Sequence, residues 1–234
     1  MVTNRVENQP ASVSISDYIT FAGDGVCLAG QMDFPHRQRP KNGYPLIFVI
    51  QHATCTSRHG YTHIAKLGTE CGAAVFRWDK RGTGRSGAGG SGSVTIDTLK
   101  AYETAVTQGG IDPQRVVIFA QNEGTLLLGE AFREFAAIQK PRGVILASNM
   151  LDEKHILSIQ TPLHIIVSKN DWNAWQIYAQ AASEIHEAKY GFPSSFYVAT
   201  NTNRRLMYLS GNAFHRGAEA SIKHWLKHTC QILA

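Results

Sequence analysis

"RVVIFAQNEGTLLLGEAF", residues 115–132, decides how this chain is read. Val116–Ala120 is a continuous apolar run, as expected of a strand buried on both faces. A polar turn follows at once, and a helical pattern begins with Glu123. Strand, sharp turn and helix in direct succession make the local geometry of a nucleophile elbow, whose pattern is G-x-S-x-G. Here the five positions are Ala120, Gln121, Asn122, Glu123 and Gly124. Gly124 stands where the helix must pack close to the strand, and Ala120 is small enough to replace the first glycine. Asn122 is at the tip. Asparagine tolerates a left-handed backbone better than most residues, but its carboxamide is almost inert as a nucleophile. The competing reading is an ordinary strand-to-helix turn with Asn122 as N-cap.

Outward from this stretch, strands and helices alternate. Towards the N-terminus, "ISDYITFAGDGVCLAGQMDFP" (15–35) predicts two strands around the turn "AGDG". "PLIFVI" (45–50) predicts a buried strand, "GYTHIAKLGTECG" a helix ending at Gly72, and "AAVFRWD" (73–79) the next strand. A helix is expected over 94–108. Towards the C-terminus, "EGTLLLGEAFREFAAI" reads as one helix, followed by strands at 143–148 and 162–168, a helix at 172–190, a strand at 194–200 and a helix at 217–233. Apolar strands separated by helices predict an α/β fold, a mainly parallel sheet covered on both faces, with the opening hairpin as an antiparallel edge. There is no internal repeat and no linker. A single domain over 13–234 is expected, behind a polar segment, 1–12, expected to be mobile.

At 234 residues the chain suits one large α/β domain. Hydrophobic residues at 43% and charged residues at 18% supply a sizeable core and argue against disorder. The net charge is +5, and the densest basic patches are "NTNRRL" and "KHWLKH". Nucleic-acid binding usually needs a denser stripe, so no nucleic acid is expected as partner. A solvated face or an anionic small molecule fits the charge. No apolar run has signal-peptide or membrane-span length, so a cytoplasmic protein with no membrane partner is expected. The four cysteines, at 27, 55, 71 and 230, show no close-paired spacing. No zinc site or other metal and no cofactor is expected, and the thiols are expected to be reduced.

In parallel sheets, chemistry collects on loops beyond the carboxyl ends of the strands. "VIQHATCTSRHG" crowds His52, Thr54, Cys55, Thr56 and Ser57 into one such loop. It reads either as a polar loop with Ser57 as N-cap or as a loop lending a backbone N–H to an oxyanion hole. Cys55 is a candidate for a replacement nucleophile, although a cysteine is more often a small buried hydrophobe. "RWDKRGTGRSG" is glycine-rich, but its spacing fits neither the Walker nor the dinucleotide pattern, and a tight structural loop is favoured. "IIVSKNDWNAW" puts Asp171 just past a buried strand, with Trp172 directly after it. "LSGNAFHRGAEA" puts His215 on the loop before the last helix. A lone Asp or His is usually a cap or structural. Position 122, Asp171 and His215 nevertheless follow the nucleophile–acid–base order of one fold.

With these motifs in place the chain resembles the α/β-hydrolase family from about residue 15 to 232. The loop "DKRGTGRSG", the elbow "IDPQRVVIFAQNEGTLL", the acid loop "SKNDWNAW" and the histidine loop "GNAFH" carry the likeness, nearest to the serine esterase and acyl-peptidase-like branch. The resemblance implies a sheet of about eight strands, Asp171 orienting His215 as base, and Asn122 at the nucleophile position. It implies an oxyanion hole and pocket built from Gln51, His52, Ala53, Gln121 and Glu123, with Cys55 and Trp172 beside them. Two positions depart from the pattern. Gln51-His52 stands where the family has His-Gly, and Asn122 replaces its serine. No lid-sized insertion follows "GVILAS", which implies an open site for a small-molecule substrate or ligand, with a homodimer as a possible cover.

Three readings of function follow. The first is a hydrolase of an ester or related acyl bond whose nucleophile is replaced in this chain. The second is a lyase, cyclase or isomerase using His215–Asp171 as an acid–base pair and Asn122 as a polar anchor. The third is a non-catalytic ligand-binding protein.

Overall fold

The computed structural model describes residues 15–53, 57–169 and 175–230. The expectation of a mobile segment at 1–12 lies outside them. Among the described residues eight strands form one sheet: β1 (Ile15–Ala22), β2 (Cys27–Phe34), β3 (Tyr44–Ile50), β4 (Ala74–Asp79), β5 (Ile111–Gln121), β6 (Gly143–Ala147), β7 (Leu163–Ser168) and β8 (Ser194–Ala199). Their spatial order is β1-β2-β4-β3-β5-β6-β7-β8. β2 pairs antiparallel with β1 and with β4, and the remaining pairs are parallel. The mainly parallel sheet with an antiparallel N-terminal hairpin is therefore as the strand pattern predicts.

The helices are α1 (Thr62–Glu70), α2 (Val94–Val106), α3 (Glu123–Glu130), α4 (Phe132–Ile138), α5 (Glu153–Ile156), α6 (Trp175–Tyr190) and α7 (Arg216–His228). They cover both faces of the sheet. Alternate residues of each strand serve opposite faces. Leu46, Phe48 and Ile50 of β3 join the core under α2 to α6, whereas Ile47 and Val49 join the core under α1 and α7. Strands buried on both sides must be apolar at every position, which is why β3, β5 and β6 stood out as unbroken apolar runs.

Three boundaries differ from expectation, each for a local reason. The helix expected over 123–138 breaks at Ala131, whose φ of −109° leaves the helical region. The break sets Phe135 edge-on to Tyr102 of α2, with ring centroids 5.3 Å apart. α1 begins only at Thr62, because a 3₁₀ turn, Arg58–Tyr61, precedes it with the Ser57 side chain as cap. β5 starts at Ile111 because the Tyr44 N–H donates to the Gly110 carbonyl, and the pairing then shifts register before Leu46.

A buried charge cluster fixes two of the strand-end loops. Asp79, fully buried at the end of β4, accepts the Arg58 and Arg85 backbone N–H groups at 2.8 and 2.9 Å and pairs with the Arg58 guanidinium. Arg77 pairs with Asp33 at 2.7 Å and donates to the Arg58 carbonyl. A Cβ at Gly84 would lie 2.2 Å from Asp79 Oδ2. The glycine-rich loop is thus folded down on this carboxylate, the tight structural loop favoured from its spacing.

Further along the same face of the sheet, under α7, His164 of β7 is buried between Ser195 (2.6 Å) and Ser221 (3.0 Å), its ring stacked on Trp225. Burial pushes it down to about 4. A histidine depressed on folding adds stability that is full above its unfolded value of about 6.5 and is lost as pH falls towards 4. Urea unfolding is expected to show that loss between pH 6.5 and 4, about 3 kcal/mol from this residue. His164→Gln is expected to flatten the slope, and an unchanged slope would assign the acid sensitivity elsewhere.

Candidate functional site

β5 ends at Gln121, and Asn122 turns the chain with φ +52° and ψ −118°. A positive φ with a strongly negative ψ is sparsely populated and persists only where surroundings over-determine it. Here they do. The Asn122 N–H donates to the Ala147 carbonyl of β6 at 2.9 Å, and its carbonyl accepts from Thr125 N–H (2.7 Å) and Thr125 Oγ1 (2.6 Å). Thr125 Oγ1 in turn accepts the Met150 N–H. On the other flank, a Cβ at Gly124 would lie 2.7 Å from the Ile50 carbonyl oxygen and 3.0 Å from that of Gln51. The start of α3 is therefore wedged between the ends of β3 and β6, and only glycine fits at 124.

Asn122 occupies the N-cap position of α3 but makes no cap bond. The simple capping reading is not what this turn does. Its side chain is buried and its Nδ2 has no hydrogen-bond partner. One strand over, Ser148 directly follows β6 with φ +50°, and its buried Oγ is also unpartnered. Gln121 and Ala147 are register partners, so two neighbouring strand ends each leave a buried polar group open. Ser148 was not picked out in the sequence. The signal was its place just past an apolar run, at a position where strand-end loops collect chemistry.

The loop after β3 is equally constrained. The Gln51 side chain turns away to the Trp78 carbonyl of β4. It braces β3 against β4 there. The His52 N–H donates to the Tyr61 hydroxyl at 2.7 Å. The Ala53 N–H donates to Glu123 Oε2 at 3.2 Å, and the same oxygen lies 3.4 Å from His52 Nδ1. Lys80 donates to the Gln51 and His52 carbonyls. The amides that an oxyanion hole would use are thus engaged within the protein, with a carboxylate on Ala53. Burial alone would raise the Glu123 carboxyl, but its own and the Ala53 amide, with His52 and Lys80, hold it below the usual carboxylate range. Burial, opposed by Glu123 and aided by Lys80, Arg205 and Arg204, holds His52 below its ordinary value. At neutral pH a carboxylate faces a neutral imidazole.

His215 is buried at the N-terminus of α7. Its Nδ1 accepts the Ala218 N–H at 3.1 Å, so the proton of the neutral ring sits on Nε2. A carboxylate holding Nδ1–H would have to displace this cap. Burial lowers the pKa of His215. Its ring packs against Tyr208, with centroids 4.9 Å apart. The segment between β8 and α7 links it to the elbow. Gln121 Nε2 donates to the Arg205 carbonyl at 3.1 Å, and the His215 N–H donates to the Leu206 carbonyl at 2.8 Å. The structure so gathers Asn122, Gln121, Glu123, His52 and Ala53 around one pair of strand ends and ties His215 to them through Arg205–Leu206. Asp171, Trp172 and Cys55 lie outside the described residues. Among the described residues no cluster of three or more His, Cys, Asp or Glu side chains is placed to hold a metal ion, and no helix is long and apolar enough to cross a membrane.

Replacing Gly124 by Ala forces a methyl group onto two backbone carbonyls that cannot swing aside. Gly124→Ala is expected to cost about 1–3 kcal/mol in urea unfolding. A variant as stable as the parent would show that the contact between α3 and β3 is not tight.

No family model matches the chain, and no curated protein matches it. Solved structures do. An esterase domain of a Rhodothermus marinus protein aligns over 92% of this chain and 100% of its own, at 17% identity and TM-score 0.67. A protein of unknown function from Agrobacterium tumefaciens, put forward as an alpha/beta hydrolase, aligns over 90% of this chain and 95% of its own, at 13% identity and TM-score 0.69. An acetyl xylan esterase from Paenibacillus sp. R4 aligns over 97% of this chain and 87% of its own, at 12% identity and TM-score 0.62. At such identities the likeness is one of fold: the chain has the α/β-hydrolase fold.

Proposed function

We propose that the chain is an esterase-type protein, acting on or binding an ester or related acyl compound of a small molecule, with Asn122 in the place of the nucleophile. The observation that carries this reading is the strained turn at Asn122. It is held by contacts from β3, β6 and α3, yet its side chain makes no cap bond. Strain kept without a structural return is a mark of a functional turn.

With a serine at 122, its Oγ would attack the acyl carbon while His215 takes the hydroxyl proton. The same proton leaves with the alcohol, and water then frees the acid. His215 would need to release the Ala218 N–H and offer an unprotonated Nε2 for this. Asn122 has no proton to give up in that way, so the chain as it stands is limited to His215-assisted attack by water, which is slow. Glu123 on the Ala53 amide favours a second reading, a ligand-binding protein on the same frame. In that reading the carboxylate holds the loop shut, and Asn122 Nδ2 donates to a bound carbonyl.

Hydrolysis of a short-chain p-nitrophenyl ester separates the two. Asn122→Ser is expected to raise kcat/KM by about 10²-fold or more, given that nucleophile loss costs far more than this in intact triads. His215→Ala in that background is expected to abolish the gain. Glu123→Gln added to Asn122→Ser is expected to raise it further by weakening the competitor for the Ala53 amide. If folded Asn122→Ser and the double variant both stay at the parent rate, acyl transfer falls and the binding reading stands.

A further inference from the structure

The basic patch "NTNRRL" has no part in the reading so far. It folds over the site as the first half of the segment between β8 and α7. Two short bridges, Thr202 with Tyr208 and Met207 with Phe214, shape that segment. Its tightest point is Arg205–Leu206. Leu206 is fully buried with φ +59°, a conformation unfavourable for a leucine. It is held there by its N–H on the Asn203 carbonyl and by His215 on its own carbonyl. Arg205 therefore rises from a fixed base, one hydrogen bond from Gln121 and next in line to Asn122.

Beside it lies a cavity of about 550 Å³ between this segment and the 3₁₀ turn before α1. Arg205, Asn203, Asn212 and His63 form part of its polar wall, and Met207 and Phe214 part of its apolar wall; no carboxylate lines it. The Asn203 side-chain oxygen is taken by the Arg205 and Met207 N–H groups, at 2.9 and 3.2 Å. That leaves its NH₂ as the group free to donate. His63 packs on Phe214, with centroids 4.8 Å apart, and its Nε2 is buried without a partner. Burial, with Arg205 and Arg77, keeps His63 neutral at physiological pH. Arg205 is the guanidinium among the described residues that line the cavity, and His59 lines it as well.

A single guanidinium, with neutral amide donors and an apolar wall, matches a planar monoanion better than a phosphate. Arginine binds a carboxylate through two parallel N–H groups, whereas a phosphate would call for more positive charge. We propose that this cavity is a carboxylate subsite. It takes a small acid with a short apolar body lying on Met207 and Phe214, and its carboxylate sits on Arg205 with Asn203 and Asn212 as further donors. The proposal rests on the reading that position 122 faces a small-molecule ligand, since it gives that ligand a negative charge on the Arg205 side.

The test uses binding rather than turnover, so it stands apart from the ester assay. Benzoate, benzamide and inorganic phosphate are titrated into the intact protein and followed by ¹H–¹⁵N NMR. Benzoate is expected to shift the Arg205 amide and the Asn203 and Asn212 side-chain amides saturably, about tenfold more tightly than benzamide, and more weakly as salt rises. Arg205→Gln is expected to lose that preference, and Arg205→Lys to keep part of it, with unchanged amide spectra elsewhere showing that both variants fold. Benzoate binding that is absent, or that survives in Arg205→Gln, overturns the proposal. Phosphate binding as tight as benzoate at the same amides overturns the carboxylate assignment. Benzoate binding in a protein whose Asn122→Ser variant hydrolyses no ester would remove the esterase reading and leave the subsite in place.

Discussion

The wedging of α3 between β3 and β6 governs the rest of the site. Because Gly124 lets the helix start against the Ile50 and Gln51 carbonyls, Asn122 must turn within a single residue. Because β6 accepts the Asn122 N–H, the turn cannot relax back into the strand. Glu123 is then the first residue of α3, and its carboxylate reaches the Ala53 amide and His52. The loop after β3, the elbow and the end of β6 form one mechanical unit. Its outer anchor is Asp79, whose bonds to the Arg58 region hold the far end of the same loop.

Charge is distributed within that unit in a directed way. Glu123 is ionised and faces a neutral His52, while Lys80 covers the two carbonyls behind it. Arg205 lines the separate cavity between the β8–α7 segment and the 3₁₀ turn before α1. The uncharged Asn122 side chain thus has next to it a carboxylate that occupies the Ala53 amide, while the Arg205 backbone is tied to the elbow through Gln121.

The fold was legible because burial on both faces writes itself into a strand as an unbroken apolar run, as in "PLIFVI" and "VVIFA". The elbow was legible because glycine at 124 answers to a close approach that no other residue allows. Loop contacts were not legible in the same way. Nothing local in "VIQHATC" says that Gln51 will brace Trp78 or that Glu123, some seventy residues later, will take the Ala53 amide. Ser148 and Arg205 were passed over for the same reason, since their environment is made by neighbours distant in sequence. The break at Ala131 escaped notice because alanine is a good helix former. The tertiary fit of Phe135 on Tyr102 overrides that preference.

The left-handed turn at position 122 has an evolutionary consequence. Every asparagine codon is a single-base change from a serine codon. Either side chain would take the positive φ only because the surrounding backbone imposes it. A single transition therefore exchanges the side chain at this turn while β3, β6 and α3 go on holding its backbone.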